Sequence, residues 1–218
     1  MSIPLLQLAL DNTSLEDALT STRILATELD IIEAGTVLMT TAGTQALKAL
    51  RALYPDHIIV SDIKVADAGA LLSKVMIGES GANWMTVICA APLATFETAL
   101  KEAKKYPKGD IQAELFGNWT FEEAAEWRKI GIKQAIYHRG RDAQAAGQTW
   151  GEDDIKKVSQ LADMGFEMSI TGGLEITDLK LFKGIPIKAF IAGRTLRDAP
   201  DPIKAAQSFK EEMHKWWS

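Results

Sequence analysis

Cysteine is nearly absent from this sequence: Cys89 is the only one among 218 residues. One thiol cannot close an internal disulfide, which suits a reducing compartment, and a cytoplasmic protein is expected. No apolar run approaches the roughly 20 residues of a membrane span. The opening segment "MSIPLLQLALDN" carries neither the basic start nor the small-residue cleavage site of a signal peptide. A basic stripe is missing too. The 24 basic and 29 acidic residues are dispersed and sum to −5, so neither nucleic acid nor a membrane is an expected partner. No linker, low-complexity tract or internal sequence repeat divides the chain, and residues 1–218 read as one domain.

What is present is alternation. Short apolar runs suited to strands fall at 5–10, 30–35, 57–64, 84–90, 110–117, 134–140, 167–173 and 189–194. Between them lie amphipathic stretches such as "SLEDALTSTRILATEL" and "TFEEAAEWRKIG", the second opening with capping-box spacing. Eight β-then-α units predict an α/β fold, a (β/α)8 barrel with its site at the C-terminal strand ends. An open doubly wound sheet is the alternative, and it lacks a GxGxxG after the first strand.

Buried parallel strands should be almost wholly apolar, yet seven of these end in polar residues: Asp11, Glu33, Asp62 with Lys64, Glu114, His138, Thr171 and Arg194. In a barrel those ends meet on one face. Glu33 and Glu114 are flanked by apolar residues, where a carboxylate needs compensation. Residues two apart in a strand face the same way, so Asp62 and Lys64 project together, and Asp67 follows in the next loop. A lysine among carboxylates stays protonated, which suits it to stabilising an oxyanion and not to Schiff-base chemistry. Glu33 and Asp62 offer two hard ligands for Mg2+; the bland alternative is a buried Asp–Lys pair with a solvated glutamate.

Gly172 and Gly173 after the seventh strand, with Gly193 and Arg194 after the eighth, suit a phosphate. Tight turns plus a surface arginine are the alternative. Among the histidines only His138 ends a strand, and with Arg141 nearby it suits proton transfer. His57 and His214 read as structural or solvated, Cys89 as a packed hydrophobe, and Trp216–Trp217 as apolar packing on the last helix.

The set "LALDN", "DIIEAGT", "SDIKVADAG", "AELFG", "YHRGRDAQAAG", "TGG" and "FIAGR" resembles the orotidine 5′-phosphate decarboxylase superfamily, and within it the 3-keto-L-gulonate 6-phosphate decarboxylases. The resemblance spans nearly the whole chain, and the His/Arg segment separates it from the related hexulose-6-phosphate synthases. It implies Mg2+ on Glu33 and Asp62, substrate contact by Asp11, and stabilisation of an enediolate by Lys64. Glu114, His138 and Arg141 would manage water and protons. Thr171, Gly172, Gly173, Gly193 and Arg194 would line the pocket, the last two at the phosphate. Asp67 would reach into the partner's site of a homodimer. The implied product is L-xylulose 5-phosphate, from ascorbate or a related sugar acid. A formaldehyde-condensing aldolase and a phosphosugar-binding barrel without turnover are the alternatives.

Overall fold

The computed structural model describes residues 2–218. Eight parallel strands close in chain order: β1 (Leu5–Leu10), β2 (Ile31–Ala34), β3 (Ile58–Val65), β4 (Trp84–Ile88), β5 (Asp110–Leu115), β6 (Gln134–His138), β7 (Glu167–Thr171) and β8 (Ile187–Ala192). Ring closure is explicit, since Leu6 of β1 pairs with Phe190 of β8 as well as β1 pairing with β2. A closed ring removes the open-sheet alternative.

Alternation along the strands explains how the ring is filled. In β1, Leu6, Leu8 and Leu10 belong to the large cluster shared with the surrounding helices, whereas Ala9 packs with Ile136 and Ile191 in a separate cluster. Lower down, Ile31, Val60, Trp84 and Ala189 form another apolar cluster. Each fully buried side chain of this size contributes about 1.5–3 kcal/mol. The barrel is therefore a packed core, and its polar end is the C-terminal one.

The helices follow their local signals. Thr120 and Glu123 form the expected capping box, with bonds of 3.1 and 2.7 Å. The last helix, Pro202–Trp217, is capped by Asp201 and buries Ala206, Phe209, Met213 and Trp217 along one face. Trp217 is fully buried and its Nε1 donates to the carbonyl of Ile185 at 2.8 Å. Strands stop one to three residues earlier than their apolar runs. Gly117 (φ 77°) and Gly172 (φ 115°) turn the chain into the left-handed region, which ends strand geometry.

One local feature departs from strand regularity. The β3–β4 register shifts between Ser61 and Val65, and Lys64 adopts φ 48°. Asp62 and Lys64 do share a face, but a bulge aims the lysine, not alternation alone. Such backbone is costly for a residue with a Cβ and concentrates at functional sites. Here the Lys64 amide donates to Thr86 Oγ1 at 2.9 Å, which holds the bulge.

Candidate active site

A cavity of about 760 Å³ opens at the C-terminal strand ends. Twelve of the thirteen residues singled out above line it: Asp11, Glu33, Asp62 and Lys64; Glu114, His138 and Arg141; Thr171, Gly172, Gly173, Gly193 and Arg194. Asp67 does not. It is exposed, just beyond β3.

Lys64 is the hub of the floor. Its Nζ donates to Asp62 Oδ2 and to Thr36 Oγ1, both at 2.6 Å, and lies 3.2 Å from Glu114 Oε1. Burial works against the ammonium, but the charges of Glu114 and then Asp62 outweigh it and raise its pKa above the ordinary lysine value. Asp62 is also tied by Thr86 Oγ1 at 2.8 Å and Thr36 Oγ1 at 2.7 Å. Burial would raise its carboxyl, but the Lys64 charge and these bonds hold it below the usual aspartate range.

The other two floor carboxyls go the opposite way. Burial, then repulsion from Asp62 and Asp11, pushes Glu33 well above its ordinary value. Its Oε2 accepts a short bond from Gln7 Nε2. Burial, then Asp62, likewise raises Glu114. Glu114 Oε1 meets His138 Nδ1 at 2.7 Å, while its Oε2 is buried without a partner. Phe116 covers the imidazole, with ring centroids 5.0 Å apart.

Negative charge therefore exceeds positive charge at the floor, with Lys64 facing Glu33, Asp62 and Glu114. No cluster of three or more His, Cys, Asp or Glu groups placed to hold a metal exists among the described residues. Two hard oxygen donors with open positions are what Mg2+ accepts when water and substrate complete its shell. The donor set fits that ion and not a fully caged one.

The other side of the mouth is built from backbone. Gly193 leads into the short helix Arg194–Arg197, and Arg194 is exposed with no ion pair among the described residues. Thr171 Oγ1 donates to the Ile191 carbonyl at 3.4 Å, tying β7 to β8. Across the opening, Arg141 Nη2 pairs with Asp11 Oδ2 at 3.3 Å.

Sequence reasoning missed Thr36 and Thr86, the two hydroxyls that fix Asp62 and Lys64. A polar residue within the apolar run "WMTVI" was the available signal for Thr86; Thr36 gave none beyond starting a helix. The bland readings of other residues hold. Cys89 is buried with Sγ 3.3 Å from the Phe116 carbonyl, and burial raises its thiol. His57 bonds the Ala26 carbonyl at 3.0 Å, and His214 is exposed.

The model of the orotidine 5′-phosphate decarboxylase / HUMPS family matches residues 4–209. The 3-keto-L-gulonate-6-phosphate decarboxylase UlaD of Escherichia coli is 52% identical over 217 residues, covering 100% of both chains. KGPDC from Streptococcus mutans, solved with a phosphosugar, superposes with a TM-score of 0.97 at 46% identity over 100% of both chains. The 3-keto-L-gulonate-6-phosphate decarboxylase from Vibrio cholerae gives 0.93 at 44% identity, again over 100% of both. No helix among the described residues is long and apolar enough to cross a membrane. The chain belongs to the orotidine 5′-phosphate decarboxylase / HUMPS family, and within it to the 3-keto-L-gulonate-6-phosphate decarboxylases.

Proposed function

We propose that the protein decarboxylates 3-keto-L-gulonate 6-phosphate to L-xylulose 5-phosphate and CO2, with Lys64 stabilising the anion left behind. One observation carries this role: a buried ammonium held at the cavity floor by Asp62 and Thr36 at 2.6 Å. The substrate carboxylate lies β to a ketone. When its C–C bond breaks, CO2 leaves and the electron pair moves toward the carbonyl oxygen, forming a cis-enediolate. A donor already fixed at that oxygen stabilises the charge without reorganising during the reaction. Because the neighbouring carboxylates keep Lys64 protonated, it acts as a charge and not as a nucleophile.

A proton must then return to carbon. His138 is the donor, oriented by Glu114 at 2.7 Å. Arg141, held by Asp11, stands at the mouth where it guides water and protons, and Asp11 in turn contacts the sugar. Thr171, Gly172 and Gly173 line the sugar path, while Gly193 and Arg194 take the phosphate. Glu33 and Asp62 would hold Mg2+, which when bound supplies Lewis-acid charge beside the forming oxyanion.

The working unit we infer is a homodimer of single-domain chains. Asp67 stands exposed outside its own chain's cavity, which supports its entering the partner's site. Mixing Asp67→Asn with Lys64→Ala should restore part of the activity if sites draw on two chains; no recovery would count against sharing.

The direct test is to supply 3-keto-L-gulonate 6-phosphate and measure CO2. Release that EDTA suppresses is the expected result. No release sinks the activity, and release indifferent to thorough chelation removes the metal.

A further inference from the structure

Two side chains of the loop after β6, Arg139 and Gln144, take no part in the chemistry above. Both are committed to the turn after β7. Arg139 Nε donates to the Gly172 carbonyl and its Nη2 to the Gly173 carbonyl, each at 3.0 Å. The guanidinium carbon lies 4.7 Å from the centroid of the Trp150 ring, which braces the fork. Gln144 Nε2 donates to the Arg139 carbonyl at 2.8 Å. From the loop after β8, Thr195 Oγ1 donates to the Leu174 carbonyl at 2.9 Å. Three successive carbonyls are thus held by side chains from neighbouring loops.

The consequence follows from peptide geometry. In a trans peptide the N–H points opposite to the C=O, and no peptide among the described residues is cis. The Gly172 carbonyl shares its plane with the Gly173 N–H, and the Gly173 carbonyl with that of Leu174. Holding both carbonyls toward Arg139 aims both N–H groups away from it. Neither donates to a protein acceptor among the described residues, whereas the next amide, Glu175, bonds Asp178 Oδ2 at 2.9 Å. Leu174 is 1% exposed, where an unpaired amide is costly. An anion's oxygens would satisfy such a pair.

The turn also tolerates nothing but glycine. A Cβ on Gly172 (φ +115°) would sit 2.2 Å from the Arg139 carbonyl oxygen. One on Gly173 (φ +57°) would sit 2.0 Å from Gln144 Oε1.

We infer that Arg139 is a positioning residue for anion binding: its fork sets the Gly172–Gly173 turn so that the amides of Gly173 and Leu174 meet the substrate's phosphate. It does so without touching the ligand. The inference rests on placing that phosphate at the β7–β8 side of the mouth.

Inorganic phosphate is the probe, measured as a competitive inhibitor of decarboxylation. Arg139→Lys keeps charge and stem but cannot give two N–H bonds in one plane. In Arg139→Lys and Arg139→Ala, the phosphate Ki and the substrate KM should both rise about tenfold, with kcat changed far less. Should the alanine variant fail to fold, the lysine variant carries the same readout. Unchanged Ki and KM in folded variants, whatever happens to Tm, would reduce Arg139 to a structural prop and overturn the inference. If phosphate inhibits the wild type and Arg194→Ala weakens that inhibition while Arg139 variants do not, only the positioning role falls. If phosphate does not compete in the wild type, the phosphate placement falls and the inference with it.

Discussion

The two sides of the barrel mouth are built on different principles. On the β2–β3–β5 side the working groups are charged side chains, and they are buried: Glu33, Asp62 and Glu114 are 7%, 6% and 2% exposed. On the β7–β8 side the working groups are glycine backbone and an exposed arginine. The first side tunes charge by burial and by neighbours, so its pKa values move apart. The second tunes shape by backbone conformation. A charge that appears only during the reaction is best met by fixed groups in a low dielectric. A phosphate is charged before, during and after turnover, so it must be held and then let go, which a turn near water allows.

Breaking the first side should cost most. Lys64→Ala is expected to lose at least about 10²–10³ in kcat with the fold intact by circular dichroism; near-normal turnover would erase the distinction between the sides. Arg194→Ala should act differently, raising KM about tenfold with a smaller change in kcat. An unchanged KM would move the phosphate elsewhere.

Glu33 allows the contrast to be sharpened through stability. Its folded pKa is raised above the ordinary 4.5, by burial first and then by Asp62 and Asp11. A raised carboxyl contributes stability that is complete below the unfolded value and lost as pH climbs through the folded one. In EDTA, Glu33→Gln should therefore melt above the wild type at neutral pH, by about 2–4 °C per kcal/mol recovered. The gap should close below about pH 4.5. A lower Tm for the variant at neutral pH would show the ionised carboxylate to be stabilising instead. The smallest effect belongs to a residue on neither side: Cys89→Ala should leave kcat within about twofold, because its thiol is buried and packed. A large loss in a folded variant would give the thiol a role that its surroundings do not.

Much of the site was legible because barrel strands end in register. Glu33, Asp62, Glu114 and His138 stood out as polar residues terminating apolar runs, and closure of the ring brought them to one cavity. Less visible were groups whose role depends on what faces them. Thr36 and Thr86 are ordinary residues at ordinary positions until Asp62 and Lys64 are placed between them. Arg139 and Arg141 stand two apart in one motif, yet one clamps the glycine turn and the other spans the mouth to Asp11.

Periodicity and local capping chemistry are properties of neighbouring residues, so the sequence by itself determined the eight units, the helix starts and which residues close each strand. The tertiary structure alone decided the left-handed Lys64, the opposed pKa shifts of Asp62 and Glu33, and the division of labour between the two arginines. Those depend on burial and on contacts between residues remote in sequence, and neither exists until the barrel has closed.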